Sequence, residues 1–237
     1  MPLPRPTIVI FDMDGTMVRH LNPRLLHLLE IADDAAYRVR TFFGALGARL
    51  HIARPLRTRR ATRKPRLIVH RVLHKLRRKP VEQIVEPCPG IIDLLELFQI
   101  HHIPVGLISN GLGAGYGHEI LQKFGLDPLL ATAVFREDTQ KSKPDPEPIM
   151  TALSRIKPDL GTGDVIWYVG DRAKDVAAAL SASPRVPARV VPVGYGYHAA
   201  LALFERDLGP DHLVLSYEDW YPMVEDILGP DPNVHAA

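Results

Sequence analysis

Five apolar runs of four or five residues alternate along most of this chain with segments of helical spacing. The runs occupy residues 7–11, 105–109, 132–135, 165–169 and 189–193. Each is continuously apolar rather than alternating in and out, which is the pattern of a strand buried on both faces. A strand buried that way needs a layer above the sheet and a layer below it. Segments with helical periodicity supply both layers, at residues 91–101, 115–124, 146–156 and 173–181, with a further one at 218–228. Strands and helices in alternation predict an α/β fold built on a doubly wound parallel sheet.

One stretch breaks the rhythm. Net charge over the 237 residues is only +2, yet residues 19–79 carry seventeen Lys or Arg against three acids, Glu30, Asp33 and Asp34. That is a net of +14, and it leaves twelve basic against twenty-four acidic residues elsewhere, a net of −12. Two units of different character therefore share the chain. Within the basic stretch, Leu25, Leu28, Leu29 and Ala32, then Val39, Phe42, Phe43 and Leu46, are spaced for helices over residues 23–50, and a second helical piece covers 67–76. Residues 54–66 between them are rich in Arg and Pro and predict a loop. The stretch reads as a small helical domain inserted after the first strand, and 237 residues suffice for one core with such an insert.

Some classes fall away. No run of about 18 apolar residues offers a transmembrane helix. The first residues lack the basic, apolar and small-residue regions of a signal peptide, so a cytoplasmic protein is expected. The single cysteine, Cys88, excludes an intrachain disulfide, and with no base nearby in sequence it reads as structural.

Sites in an open parallel sheet form at the carboxyl ends of the strands. After the first run come Asp12-Met13-Asp14-Gly15-Thr16; the second ends in Ser109-Asn110-Gly111. After the third comes a loop with Lys141-Ser142-Lys143-Pro144-Asp145-Pro146, and after the fourth Gly170-Asp171-Arg172-Ala173-Lys174-Asp175. Carboxylates, a hydroxyl and a lysine thus gather at one edge. The set suits phosphoryl transfer. Paired carboxylates hold a hard cation such as Mg²⁺. The cation and a lysine offset charge on the phosphoryl group, and a hydroxyl bonds one of its oxygens. An aspartate can attack phosphorus, and a second acid two residues on can serve as acid and base. Gly15 suits the tight turn that brings two acids to one point.

At these residues the chain resembles the haloacid dehalogenase superfamily, and its phosphoglycolate-phosphatase-like members in particular. Asp12-Met13-Asp14-Gly15-Thr16 is similar to the first motif, DxDGT. Ser109 resembles the second motif, Lys143 before Pro144 the third, and Gly170-Asp171 with Asp175 the fourth. The resemblance covers residues 7–18 and roughly 86–200. It implies a Rossmann-like catalytic core of residues 1–18 and 86–237, with residues 19–85 forming a small basic helical cap. It implies that Asp12 is nucleophile and metal ligand, and that Asp14 is acid/base with its backbone carbonyl on the metal. Ser109 and Asn110 would bind phosphate, and Lys143 would steady the nucleophile and the phosphoryl group. Asp171 would ligate Mg²⁺, with Asp175 a ligand or a group behind one. Arg172 stands where many relatives carry a small or hydroxyl residue.

The expected activity is Mg²⁺-dependent hydrolysis of a phosphate monoester, acting on a small phosphorylated metabolite. A 2-haloacid dehalogenase would use the same nucleophile on carbon, but it has no need for Asp14. A phosphomutase would keep both acids. A nucleic-acid or partner-binding protein on a retained phosphatase core is the less favoured reading, resting only on the Arg-rich stretch. Lys141 is the rival of Lys143. The run Gly111, Gly113, Gly115, Gly117 reads as a turn and helix entry rather than a dinucleotide fingerprint. His101 and His102, ending a helix, are expected in solvent.

Overall fold

The structure, a computed structural model, describes residues 3–21, 80–111 and 113–232. The first apolar run is a strand, Ile8–Asp12 (β1), with every residue buried. Two three-residue strands follow, Val18–His20 (β2) and Val85–Pro87 (β3), and pair with each other. The remaining runs are strands Val105–Ile108 (β4), Thr132–Val134 (β5), Val165–Gly170 (β6) and Arg189–Tyr195 (β7). A two-residue strand, Leu213–Val214 (β8), follows. The helices are Ile91–Ile100 (α1), Ala114–Lys123 (α2), Glu147–Ile156 (α3), Ala173–Ala182 (α4), Tyr197–Phe204 (α5) and Tyr217–Leu228 (α6).

Among the described residues the main sheet has the order β5-β4-β1-β6-β7-β8 and is parallel throughout. Val9 sits opposite Val105 on one side and Trp167 on the other. The order explains where a site must lie. The chain steps outward from β1 through β4 to β5, then returns to β6 on the far side of β1 and steps outward again. Crossovers therefore leave β1 in opposite directions, and a crevice opens at the carboxyl ends of β1, β4 and β6.

Side chains alternate across each strand. Ile8 and Ile10 join Ile108, Ile166 and Tyr168 in a layer covered by Ile149, Ala152 and Leu153 of α3 and by Ala178, Ala179 and Ala182 of α4. Phe11 and Trp167 belong to an aromatic layer with α1 and α6. Phe11 lies 6.4 Å from Phe98 and 6.2 Å from Tyr217 between ring centroids, and Trp167 stacks on Trp220 at 5.4 Å. Burying a large apolar side chain stabilises by about 1.5–3 kcal/mol, so these two layers fix β1 and β6 and with them the acids at their ends.

The sequence reading passes over α5 and β8. In α5 apolar side chains stand on both faces: Ala199, Ala202 and Leu203 are buried, whereas Tyr197, Leu201 and Phe204 are exposed. That blurs the one-sided spacing by which a helix is recognised. His101 also departs from expectation. It is buried, because it continues the inner face of α1 one turn beyond Leu97 and Phe98.

By contacts the chain divides into a unit of residues 1–19 and 85–237 and a unit of residues 20–84. The helical pieces expected at 23–50 and 67–76, and the Arg-rich loop between them, lie outside the described residues. Among the described residues no helix is long and apolar enough to cross a membrane.

Candidate active site

Asp12 is the last residue of β1, and the chain turns tightly beyond it. The Gly15 N–H donates to the Val18 carbonyl at 2.8 Å, and the N–H groups of Met17 and Val18 both return to the Met13 carbonyl at 3.0 Å. Gly15 has φ +83°, in the left-handed region, and a Cβ built there would lie 2.4 Å from Asp171 Oδ2. Only glycine meets both demands, and it is what lets the loop after β1 close on the acid after β6. Gly170 does similar work at the end of β6, where a Cβ would come within 2.4 Å of the Asp175 Cβ.

Asp175 is the third residue of α4. Its Oδ2 accepts the Arg172 N–H at 3.1 Å, which satisfies a donor at the start of the helix. Its Oδ1 faces Lys143 Nζ at 2.7 Å and accepts the Tyr168 hydroxyl at 3.3 Å. Lys143 Nζ also bonds Asp12 Oδ1, and the Lys143 side chain is entirely buried. The loop that carries it is pinned by its own acids. Glu147 accepts the N–H groups of Gln140 and Lys141 at 2.6 and 2.9 Å, and Asp145 accepts the Glu147 N–H at 3.0 Å. Lys141 points elsewhere: it pairs with Asp145 at 3.2 Å and is mostly exposed. Of the two lysines, the structure brings Lys143 to the acids.

β4 delivers the hydroxyl. The Ser109 N–H donates to the Val134 carbonyl at 2.9 Å, which buries Ser109 at the crevice with its Oγ 3.4 Å from Asp14 Oδ2. Asn110 reaches across to the Lys143 carbonyl with its amide nitrogen at 3.5 Å. The seven residues singled out in the sequence thus stand at or beyond the ends of β1, β4 and β6 and in the loop after β5, with Lys143 between Asp12 and Asp175, Ser109 against Asp14 and Asn110 against the Lys143 carbonyl.

Oxygens of Asp12, Asp171 and Asp175 all lie within 4.8 Å of one another. Crowded acids resist ionisation. Burial pushes the Asp12 carboxyl up to about 7 against the pull of Lys143, with Asp175 and Asp171 adding to the rise. Burial pushes Asp171 up to about 6, opposed mainly by Arg172. Burial alone would lower the Lys143 ammonium, but Asp12, Tyr168 and Asp175 beside it outweigh that and hold it well above its ordinary range. Asp171 Oδ2 lies 3.5 Å from Arg172 Nε, whereas its Oδ1 is buried with no hydrogen-bond partner among the described residues. Buried carboxylates grouped this closely, one with an orphaned oxygen, fit a hard divalent cation, which takes oxygen ligands and favours their ionised forms. Asp12 and Asp171 are the side chains best placed to hold it. Asp175 has about four lone-pair directions and gives three to Lys143, Tyr168 and the Arg172 N–H.

One contributor was not foreseen. Tyr168 lies inside an apolar run, where sequence cannot tell a functional aromatic from a core one. Gly170 was singled out with the fourth motif, and the structure adds its reason: it leaves room for Asp175 to approach β6.

A family model described as haloacid dehalogenase-like hydrolase matches residues 9–188. The phosphoglycolate phosphatase of Rhodospirillum rubrum is 30% identical over 226 residues, covering 84% of this chain and 87% of its own. The phosphoglycolate phosphatase of Salmonella paratyphi A is 28% identical over 240 residues, covering 90% of each. Among solved structures, a haloacid dehalogenase family hydrolase from Deinococcus radiodurans R1, with bound phosphate and sodium, matches with a TM-score of 0.60 at 18% identity, covering 95% of this chain and 97% of that one. The last likeness is one of fold.

Proposed function

The chain belongs to the haloacid dehalogenase-like hydrolases, and we propose that it hydrolyses the phosphate monoester of a small metabolite through an aspartyl phosphate on Asp12, with Mg²⁺ as cofactor. One observation carries the reading: the Asp12 carboxylate is buried against the Lys143 ammonium while oxygens of Asp171 and Asp175 stand within 4.8 Å.

When bound, the cation neutralises negative charge on the phosphoryl oxygens and on the acids around it. The protein's own groups do the rest. Lys143 favours the ionised form of Asp12 and aims it, and Asp12 attacks phosphorus as the ester oxygen departs. Asp14 gives that oxygen a proton, and then takes one from the water that cleaves the aspartyl phosphate. The Ser109 hydroxyl and the backbone of Asn110 receive the phosphoryl oxygens. Asp175 holds Lys143 in place. The layers under β1, β4 and β6 keep these groups fixed, so little reorganisation is needed during the reaction.

Phosphoglycolate, named in the relatives from Rhodospirillum rubrum and Salmonella paratyphi A, is the first substrate to assay, beside a sugar phosphate and p-nitrophenyl phosphate. Phosphate release is expected to need Mg²⁺ and to stop with a chelator. Asp12→Asn keeps the shape of the side chain but is a poor nucleophile and a weaker ligand, so it is expected to be inactive with an unchanged far-ultraviolet circular dichroism spectrum. Turnover by the purified Asp12→Asn protein would remove Asp12 from the nucleophile's role.

A further inference from the structure

We propose that Tyr168 is a positioning residue that locks the Lys143 ammonium over Asp12; its role in turnover rests on the phosphatase reading above. Tyr168 lies in the middle of β6, buried among Ile8, Ile10, Ile149 and Leu153 and other apolar side chains. Phenylalanine would fill that space without a polar atom. A hydroxyl in such a layer costs stability unless it is bonded, and this one is bonded into the site. It donates to Asp175 Oδ1 at 3.3 Å, and that same oxygen faces Lys143 Nζ at 2.7 Å. Burial keeps the phenol protonated, its pKa pushed well above the ordinary value, so the hydroxyl can donate its hydrogen bond to Asp175.

The order of contacts makes the arrangement specific. Lys143 Nζ faces two carboxylate oxygens, Asp12 Oδ1 and Asp175 Oδ1. Asp175 is held in turn by two donors, the Tyr168 hydroxyl on Oδ1 and the Arg172 N–H on Oδ2. With both its oxygens held, Asp175 is a fixed anchor for the ammonium, which remains over Asp12. Removing the hydroxyl leaves Asp175 one donor short and free to turn about the bond that remains. Lys143 then loses a fixed partner, and Asp12 loses its fixed counter-charge for part of the time.

Tyr168→Phe tests this in the full chain with two measurements. The first is turnover of p-nitrophenyl phosphate with Mg²⁺. Here kcat is expected to fall about tenfold, a modest misalignment in barrier terms, with KM within about twofold. A merely structural role would lower the melting temperature and leave kcat per folded molecule unchanged. The second is hydrogen exchange at the Lys143 ammonium by ¹⁵N NMR, with the signal assigned by its loss in Lys143→Met. It requires no activity. Slow exchange is expected in the wild type and clearly faster exchange in Tyr168→Phe. Equal exchange in the two proteins, or a wild-type ammonium that already exchanges too fast to observe, overturns the proposal. So does altered exchange with wild-type kcat. If the wild type hydrolyses no phosphate ester, the phosphatase reading fails, and the exchange measurement still decides whether Tyr168 holds Lys143.

Discussion

Asp12 and Asp14 are two residues apart and meet different surroundings. Asp12 is buried against Lys143, whereas Asp14 is partly exposed and faces the Ser109 hydroxyl. A carboxylate held by a fixed cation suits attack, and one nearer the opening suits proton exchange with a leaving oxygen and then with water. Asp14→Asn is therefore expected to slow turnover by about 10²–10⁴ while inorganic phosphate still binds as in the wild type. A nitrophenolate leaves readily without a proton, so the defect on p-nitrophenyl phosphate should be smaller than on an alkyl phosphate. Kinetics on the two esters check this, and equal defects would take the leaving-group role from Asp14. At this scale Asp12, Asp14, Ser109 and Asp171 were legible because they are polar residues at or just beyond the ends of apolar runs, where a parallel sheet places its sites; Lys143 and Asp175, farther along the chain, were legible through the family resemblance. Tyr168 was not. Its hydroxyl is an atom within a hydrophobic strand, and only the packing of Lys143 and Asp175 against it gives it a function.

The elements that carry those residues are tied together at their opposite ends. Asp164, just before β6, accepts the Gly161 N–H at 2.8 Å, the Lys157 ammonium at 2.9 Å and the Thr7 hydroxyl at 3.1 Å. Thr7 in turn accepts the Val165 N–H at 3.1 Å. One carboxylate thus joins the entry to β1, the end of α3 and the entry to β6. The Gly161 N–H, then Lys157, hold its pKa below the ordinary 3.8. A carboxyl whose pKa is lower in the folded chain than in the unfolded one stabilises the fold above the unfolded value and loses that contribution as pH falls through the folded value. Asp164→Asn is expected to lower the melting temperature by about 2–4 °C near pH 7. The gap should narrow as the medium is acidified below about pH 4. Melting curves across that range check it, and a gap that persists unchanged into acid would mean the charge is not what Asp164 contributes. The clip was illegible in the sequence: Thr7 opens the first apolar run, Lys157 and Asp164 fall between a helical segment and a later run, and nothing in their spacing joins the three. The main strands and helices were legible because burial on both faces leaves continuous apolar runs. α5, with apolar side chains turned both ways, left no such mark.

Over the whole molecule, the feature plainest in the sequence is the separation of charge, +14 over residues 19–79 against −12 elsewhere. In the proposed mechanism a cation and Lys143 serve the transferring phosphoryl group, and so many further cations exceed what that step needs. A field of one sign raises the encounter rate of an anion, by roughly 10–10³ at low salt, and salt screens it over a Debye length of about 10 Å at 0.1 M. Replacing Arg57, Arg59, Arg60 and Arg63 with Gln lowers the charge of the stretch by four without adding an apolar surface. For a dianionic phosphate ester at low ionic strength, kcat/KM is expected to fall several-fold. Steering acts on encounter and not on the bound complex, so kcat should change much less. Raising the ionic strength should then bring the variant and the wild type together, because screening removes from the wild type what the substitutions removed from the variant. A fall in kcat as large as that in kcat/KM, or a gap indifferent to salt, would place these arginines in the bound complex and not on the approach. Equal kcat/KM at low salt on every ester the wild type hydrolyses would leave them a solvated basic surface, and the steering idea would fail.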